Sequence, residues 1–381
     1  MRILQLISSG GFYGAEAVAA SLSSELPKLG HQVVLGVFHN AHNPHLEIAE
    51  RVRQDGIPLE IIPCRGRLDW AAVRAVRRCV AQHRVDVIHA HGYKSDMYGI
   101  VAARMTRVPL VATCHNWTGA SVSLRLYSTV DCIVLHQAHH VVAVSQDVCN
   151  HLVQFAIPKA KITVIGNGID TERFGAARPA LREELSLGGR TIIGVVGRLS
   201  PEKGHKFLLH AAPRLIAEFP DAAFLFVGAG PGQPALESLT RQLNLWDRVF
   251  FAGFRDDMPN VYASIDVLAL PSLKEGSPLA LLEAMAAALP VVATDVGDVG
   301  QIVVSGESGL LVAPRNPEAL CGAIGRLIAD AGLRVRLAAN GRRYVQEHFS
   351  ATRMAQNYVD VYEDVLPDNR VLSKRAEPAA V

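Results

Sequence analysis

Residues 266–295 read DVLALPSLKEGSPLALLEAMAAALPVVATD, and the fold turns on how this stretch divides. Val267 to Pro271, with Ser272, reads as a short buried strand. A polar loop, Leu273 to Ser277, follows. Pro278 to Leu289 is rich in alanine and leucine, the composition of a helix. Ser277 is a good N-cap, and Pro278 suits the first helical position. Pro290 stops the helix, and Val291 to Ala293 begin the next strand. This order puts Glu275 on a loop at a strand's carboxyl end and Glu283 about one and a half turns into the helix.

In an open α/β sheet, ligands bind outside the carboxyl ends of the strands. A helix N-terminus at that place attracts anions through its unpaired N–H groups and its dipole. Glu275 also suits plain decoration of a helix N-terminus. Glu283 stands among Leu281, Leu282, Ala284 and Met285, where a charge needs a reason, since buried charges are rarely unpaired. On the residues alone, a functional and a structural reading of the pair both stay open. The pair does not suit a retaining hydrolase, whose carboxyl groups stand roughly 5 Å apart, because eight residues of helix span about 12 Å.

The same rhythm extends in both directions. Residues 2–8, RILQLIS, form an apolar run that ends in the glycine loop SSGGFYGAE, and a helix is expected from Ala15 to Leu29. Gly10 and Gly11 let backbone approach a ligand closely, although a tight turn alone would also use them. Their spacing is not G-x-G-x-x-G, which disfavours a dinucleotide. Strands recur at 31–38, 57–63, 86–91, 110–116 and 139–145, with helical patterns between them. Continuous apolar runs of this kind are parallel strands covered on both faces. Their alternation with helices gives a doubly wound sheet.

A second sheet begins at RTIIGVVGRLSPEKG (190–204) and continues through strands at 222–230, 248–254, 266–272, 290–296 and 308–314. The expected plan is a first α/β domain over 1–170, a linker over 171–189, a second α/β domain over 190–350, and a polar tail over 367–381. No repeat of 20–50 residues is visible.

With 381 residues, 49% of them hydrophobic and 19% charged, the chain suits a folded globular protein with two cores. No apolar run approaches the ~20 residues of a membrane span. The first apolar run stops at Ser8, too short for a signal-peptide core. Six cysteines show no C-x-x-C pairing and read as small core residues in a reducing cytoplasm. Residues 1–170 hold 16 lysines and arginines against 12 acidic residues. The basic segment 65–84, with Arg65, Arg67, Arg74, Arg77, Arg78 and Arg84, reads equally as a patch for an anionic membrane surface or as a solvated helix face.

Histidines end two strands, His89 and His91 on one and His115 on the next. No carboxylate or further histidine stands at a recognisable ligand spacing beside them, so no metal is expected. Asp266, Asp295 and Asp298 form no D-x-D on a strand-end loop either. Arg198 and Lys203 flank S-P-E-K-G behind a strand. Two cations on such a loop suit a diphosphate, arginine as a fork and lysine as a point charge, and two solvated cations are the plain alternative.

Three motifs together change the balance. E-G-x-P-L-x-x-L-E-A-M-A from Glu275, G-R-L-x-x-x-K-G from Gly197, and N-G-I-D at 167–170 make the chain resemble the retaining glycosyltransferases of family 4 over nearly its whole length. The resemblance implies the GT-B fold, two Rossmann-like domains facing across a cleft, with a helix over 351–366 crossing back to the first domain. It implies a hexosyl transfer from a nucleoside-diphosphate sugar, UDP or GDP, to a glycan or lipid-linked hydroxyl, with no cofactor, no metal and no nucleic acid. It assigns Gly10, Gly11, Arg198, Lys203, Gly230, Phe254, Leu279 and Glu283 to the donor nucleotide. Glu275, His115, Arg198 and Lys203 go to the chemistry, His115 beside the transferred sugar in T-C-H. The family commonly shows E-G-F-G-L where this chain has Glu275-Gly276-Ser277-Pro278-Leu279, and the proline removes one N–H that could face a ligand. An epimerase on the same fold and a non-catalytic sugar-nucleotide binder are the rival readings; both use the donor motifs less fully.

Overall fold

The structure, a computed structural model, describes residues 1–39, 45–66, 69–115, 132–175 and 177–367. By its contacts the chain divides into two units. One is Met1–Gly168 with the helix Ala351–Asp364, and the other is Ile169–Ser350.

The first unit holds β1 (Arg2–Ile7), β2 (Gln32–His39), β3 (Leu59–Pro63), β4 (Val87–His91), β5 (Leu110–Cys114), β6 (His140–Ala143) and β7 (Ile162–Val164). They form one sheet in the order β3-β2-β1-β4-β5-β6-β7, parallel throughout. Alternate residues feed two cores. Leu4 and Leu6 join one with Ile88, Ala90 and Ala112, while Ile7 joins another with Leu35 and Val37. Burial on both faces is what the continuous apolar runs require.

The second unit holds β8 (Thr191–Val196), β9 (Ala222–Val227), β10 (Val249–Gly253), β11 (Val267–Leu270), β12 (Val291–Thr294) and β13 (Leu310–Val312), in the order β10-β9-β8-β11-β12-β13 and again parallel. Phe224 and Phe226 face one core; Leu225 and Val227 face the other. In each sheet the strand order reverses at one place, between β1 and β4 and between β8 and β11. Loops leaving the carboxyl ends of strands on either side of such a reversal form a natural crevice. Gly10, Gly11, Arg198, Lys203 and Glu275 lie on these loops, with Leu279 and Glu283 in the helix that follows β11, whereas His115, Gly230 and Phe254 follow β5, β9 and β10.

Several expectations shift. The stretch 171–189, expected as a linker, is built into the second unit, where Phe174, Leu181 and Leu187 lie in its core with Ile169. Apolar side chains at these positions had a core to join, so the chain turns from one unit to the other at Gly168. The helix expected over 15–29 runs Gly14–Glu25 and continues as a 3₁₀ turn, Leu26–Leu29, because Pro27 lacks the N–H an α-helix needs there. The helix after Glu275 runs Leu279–Ala286. Its N-cap is Pro278 in an extended conformation, not Ser277. From residue 368 onward the expected tail lies outside the described residues, as do Arg67 and Asn116.

The Ala351–Asp364 helix belongs to the first unit by specific bonds. Thr352 donates to Glu25 at 2.9 Å, Tyr358 meets Thr113 at 3.1 Å, and Tyr362 meets His89 at 2.7 Å. Among the described residues, no helix is long and apolar enough to cross a membrane.

Candidate active site

The second unit's site starts from two loops that could not approach without glycine. After β8 the chain passes exposed Arg198 and enters a 3₁₀ turn, Pro201–Lys203. Gly204 then takes φ +65, with the Pro271 carbonyl so near that a Cβ would lie 1.9 Å from its oxygen. That contact sets the β8 loop against the end of β11. The Leu273 N–H donates to the Glu202 carbonyl at 2.7 Å and closes the junction.

Across this junction Lys203 and Glu275 meet. The Lys203 Nζ lies 2.8 Å from Glu275 Oε1 and 2.9 Å from Oε2. Ser272 donates its hydroxyl to the same Oε1 at 2.5 Å. Glu275 is 7% exposed, so its charge is held away from water by a cation and a hydroxyl. Sequence reasoning separated the two roles, Lys203 for phosphate and Glu275 for sugar. The structure joins them in one ion pair.

Behind Glu275 stands β12. Thr294 sends its hydroxyl to the Ser272 and Leu270 carbonyls, at 2.5 and 3.2 Å. Gly297, at φ +54, packs on the Glu275 carbonyl, where a Cβ would come within 2.0 Å. Neither residue was expected at the site. Only the adjacency of β11 and β12 brings them there.

Glu283 has a different partner. The buried Tyr262 hydroxyl donates to its Oε2 at 2.8 Å and lies 3.2 Å from the Ala280 carbonyl. Burial pushes the Glu283 carboxyl up to about 7, against the lowering effects of the Tyr262 bond and the Arg173 charge. Tyr262 was missed, although a tyrosine inside the apolar run of 261–270 needs a partner for its hydroxyl.

Around these groups, Leu279 is the first residue of the helix and partly buried against the core. Gly230 lies on the loop after β9, where a Cβ would stand 2.4 Å from the Leu199 carbonyl of the β8 loop, which explains the glycine without a ligand. Phe254, just past β10, is 61% exposed and offers an open ring. Asp266 is excluded from the site. It precedes β11, at the opposite end of the strand from Glu275, and is held by Arg182 at 2.6 Å and the Ile192 N–H at 2.7 Å.

The first unit carries the other expected residues. The loop of Gly10 and Gly11 is tied by buried Glu16, which accepts from Gly10 N–H at 3.4 Å and Tyr13 N–H at 3.1 Å. His115 leaves β5 with its Nε2 2.9 Å from His91 Nδ1, and His91 Nε2 lies 3.0 Å from Gln5 Oε1. His89 is bonded through both nitrogens, to Thr113 and Tyr362, each at 2.7 Å. Burial pushes His89 down to about 3 and His115 to about 4, and holds His91 well below the usual range. All three are neutral at pH 7. Among the described residues, the grouping of metal-ligating type is elsewhere, at Glu60, Cys79 and His83. There His83 is already bonded to Glu60 at 3.0 Å.

This chemistry can hold an anion and a polyhydroxylated ligand. Residues 12–173 match the model of Glycosyltransferase Family 4, and residues 177–344 that of Glycosyl transferases group 1. A glycosyltransferase of Methanocaldococcus jannaschii is 31% identical over 302 residues, covering 74% of this chain and 75% of its own. The UDP-Gal:α-D-GlcNAc-diphosphoundecaprenol α-1,3-galactosyltransferase of Escherichia coli is 28% identical, covering 78% of this chain and 80% of its own. Among solved structures, Anabaena HepE in complex with UDP superposes with a TM-score of 0.83 at 25% identity, over 96% of this chain and 100% of that one. The chain therefore belongs to the family 4, group 1 glycosyltransferases, with the GT-B fold.

Proposed function

We propose that this glycosyltransferase moves a hexosyl unit, with retention of configuration, from a UDP- or GDP-sugar to a hydroxyl of a glycan or lipid-linked acceptor, in cytoplasmic synthesis of surface polysaccharide or glycolipid. The observation that carries the reading is the Lys203–Glu275 pair, fixed at the sheet reversal beside exposed Arg198. Nucleotide sugars need cations for the diphosphate and a carboxylate for hydroxyls, and the loops supply both. The similar Anabaena structure holds UDP, and the E. coli relative is named for UDP-Gal and a diphosphoundecaprenol-linked GlcNAc.

In the proposed step the bond from the sugar's anomeric carbon to the leaving diphosphate breaks. A new bond forms on the same face to the acceptor oxygen, and the acceptor proton passes to the leaving phosphate. Arg198 and Lys203 hold the charge that grows on the diphosphate, in place of a metal ion. Glu275 accepts from sugar hydroxyls, and Glu283 from the ribose. Thermal shifts with UDP, GDP and ADP and then their sugars identify the donor, and NMR of the product reads the anomer. Absence of stabilisation by every nucleotide, or an inverted product, overturns the reading.

Glu283 makes nucleotide binding depend on pH. Its raised value means that the ligand-free protein is favoured by protonation, an advantage complete below about 4.5 and lost as pH rises through about 7. Ribose hydroxyls prefer the carboxylate, so affinity runs the opposite way. Between pH 6 and 8 the charged fraction rises about tenfold, and UDP affinity should rise by that order. Glu283→Gln should remove this portion of the slope and leave only the titration of the phosphate itself. Parallel slopes in the two proteins would take Glu283 out of the ribose site.

Contact with an anionic membrane belongs to the same proposal. On the helix Trp70–Gln82, Arg74, Arg77 and Arg78 are exposed, and Trp70 is 66% exposed at its start. Each cation near such a surface contributes about 1 kcal/mol. Sedimentation with anionic vesicles should decline as salt rises. Equal sedimentation with neutral vesicles rules the surface out.

A further inference from the structure

The polar line Gln5–His91–His115 is unusual because it crosses three neighbouring strands inside the first unit. β1 pairs with β4 so that Gln5 faces His89, and β4 pairs with β5 so that His91 faces Thr113. Gln5 is 0% exposed and His91 4%, whereas His115 stands partly open at the end of β5. Both ring nitrogens of His91 are used, one on Gln5 and one on His115.

Such a line has a direction. The Gln5 Oε1 only accepts, so His91 carries its proton on Nε2. A neutral His91 then presents a lone pair at Nδ1, and His115 must donate from Nε2. That leaves the His115 Nδ1 as a lone pair, with no bond to it among the described residues. Burial keeps the three histidines uncharged, so the line holds one proton per ring.

We propose that Gln5 and His91 are positioning residues that fix His115 in a single neutral tautomer, proton on Nε2 toward His91 and lone pair on Nδ1 away from it. The catalytic consequence rests on the proposed place of His115 beside the transferred sugar. Glycosyl transfer builds positive charge at the anomeric centre, as in the oxocarbenium-like transition states of glycosidases. An imidazolium there would oppose that charge. A neutral ring with an outward lone pair instead accepts a sugar hydroxyl. Reversing the Gln5 amide would reverse every bond in the line and turn the outward nitrogen into a donor. The Gln5 Nε2 is buried without a hydrogen-bond partner, so this one amide decides the sense of the whole line.

The test uses the full chain labelled with ¹⁵N-histidine, with two-bond proton–nitrogen correlations to find which nitrogen of His115 is protonated. We expect a pyrrole-like Nε2 and a pyridine-like Nδ1 from pH 5.5 to 8. Gln5→Leu should give a mixture of tautomers. Gln5→Glu, whose carboxylate also only accepts, should restore the single form. The His89 signals, held by Thr113 and Tyr362, report whether each variant is folded, and the wild-type spectrum alone suffices if Gln5→Leu is not. A proton on Nδ1 in the wild type, or one unchanged tautomer in folded Gln5→Leu, overturns the proposal. With the donor sugar in hand, Gln5→Leu should lower turnover about tenfold, the size of one hydrogen bond, and leave UDP affinity unchanged. A changed tautomer with unchanged turnover keeps the positioning and removes His115 from the sugar site.

Discussion

Arg198→Ala and Lys203→Ala should each lower turnover by about 10²–10³, the loss typical of one contact to developing negative charge. Their stabilities should differ. Arg198 is exposed, and its removal should leave the melting temperature unchanged. Lys203 is the cation of a carboxylate that is only 7% exposed, and without it Glu275 loses its ion-pair partner in a site that water barely reaches. Breaking a buried pair costs about 3–5 kcal/mol. The Lys203 side chain is 26% exposed, which brings the expected cost nearer 2–3 kcal/mol and a fall in Tm of about 5 °C. Lys203→Met with Glu275→Gln should regain most of that stability and none of the turnover. In the proposed mechanism two cations fill the metal's role, and on that proposal the wild type should keep full rate in excess EDTA. Strict dependence on Mg²⁺ or Mn²⁺, with near-normal rates in both single variants, would overturn this mechanism.

The double role of Lys203 shows where sequence reading stops. Apolar runs ending in glycine mark parallel strands whatever their partners, so the strands of both sheets are legible to within a few residues at their ends. The order of those strands is not. Lys203 and Glu275 meet because β8 lies beside β11, with β9 and β10 turned the other way, and nothing local to either loop states this. The linker failed for a related reason. Proline and paired glycines around 179–189 look like punctuation, but Leu181 and Leu187 are fully buried in the second unit. The family motifs point to Glu275, Glu283, Arg198, Lys203 and His115 as candidates. They do not point to the groups that hold three of them, Ser272 and Gly297 at Glu275, Tyr262 at Glu283, and His91 with Gln5 at His115. His89 and His91 stood out in the sequence only as strand-end histidines, and the structure spends all four of their ring nitrogens on hydrogen bonds.

Gly297→Ala should abolish most transfer without touching any ligand. Gly297 holds φ +54, and an added Cβ would fall 2.0 Å from the carbonyl oxygen of Glu275, so alanine there meets backbone and not a side chain that could swing aside. Left-handed strain alone costs about 1 kcal/mol or somewhat more. The overlap is the larger effect, since the Glu275 loop must shift by about an ångström to relieve it. A displacement of that size at a reacting centre can cost about 10² in rate. Turnover in Gly297→Ala should therefore approach that of Glu275→Ala, while UDP affinity, which the proposal assigns to Glu283 and the β8 loop, should change little. Gly306→Ala is the matched control. Gly306 sits at φ +84 with nothing within 4 Å of the added atom, so it carries the strain without the overlap. It should lose a little stability and no activity. If Gly297→Ala transferred sugar as fast as Gly306→Ala, the placement of Glu275 by its neighbour's backbone would have no part in catalysis.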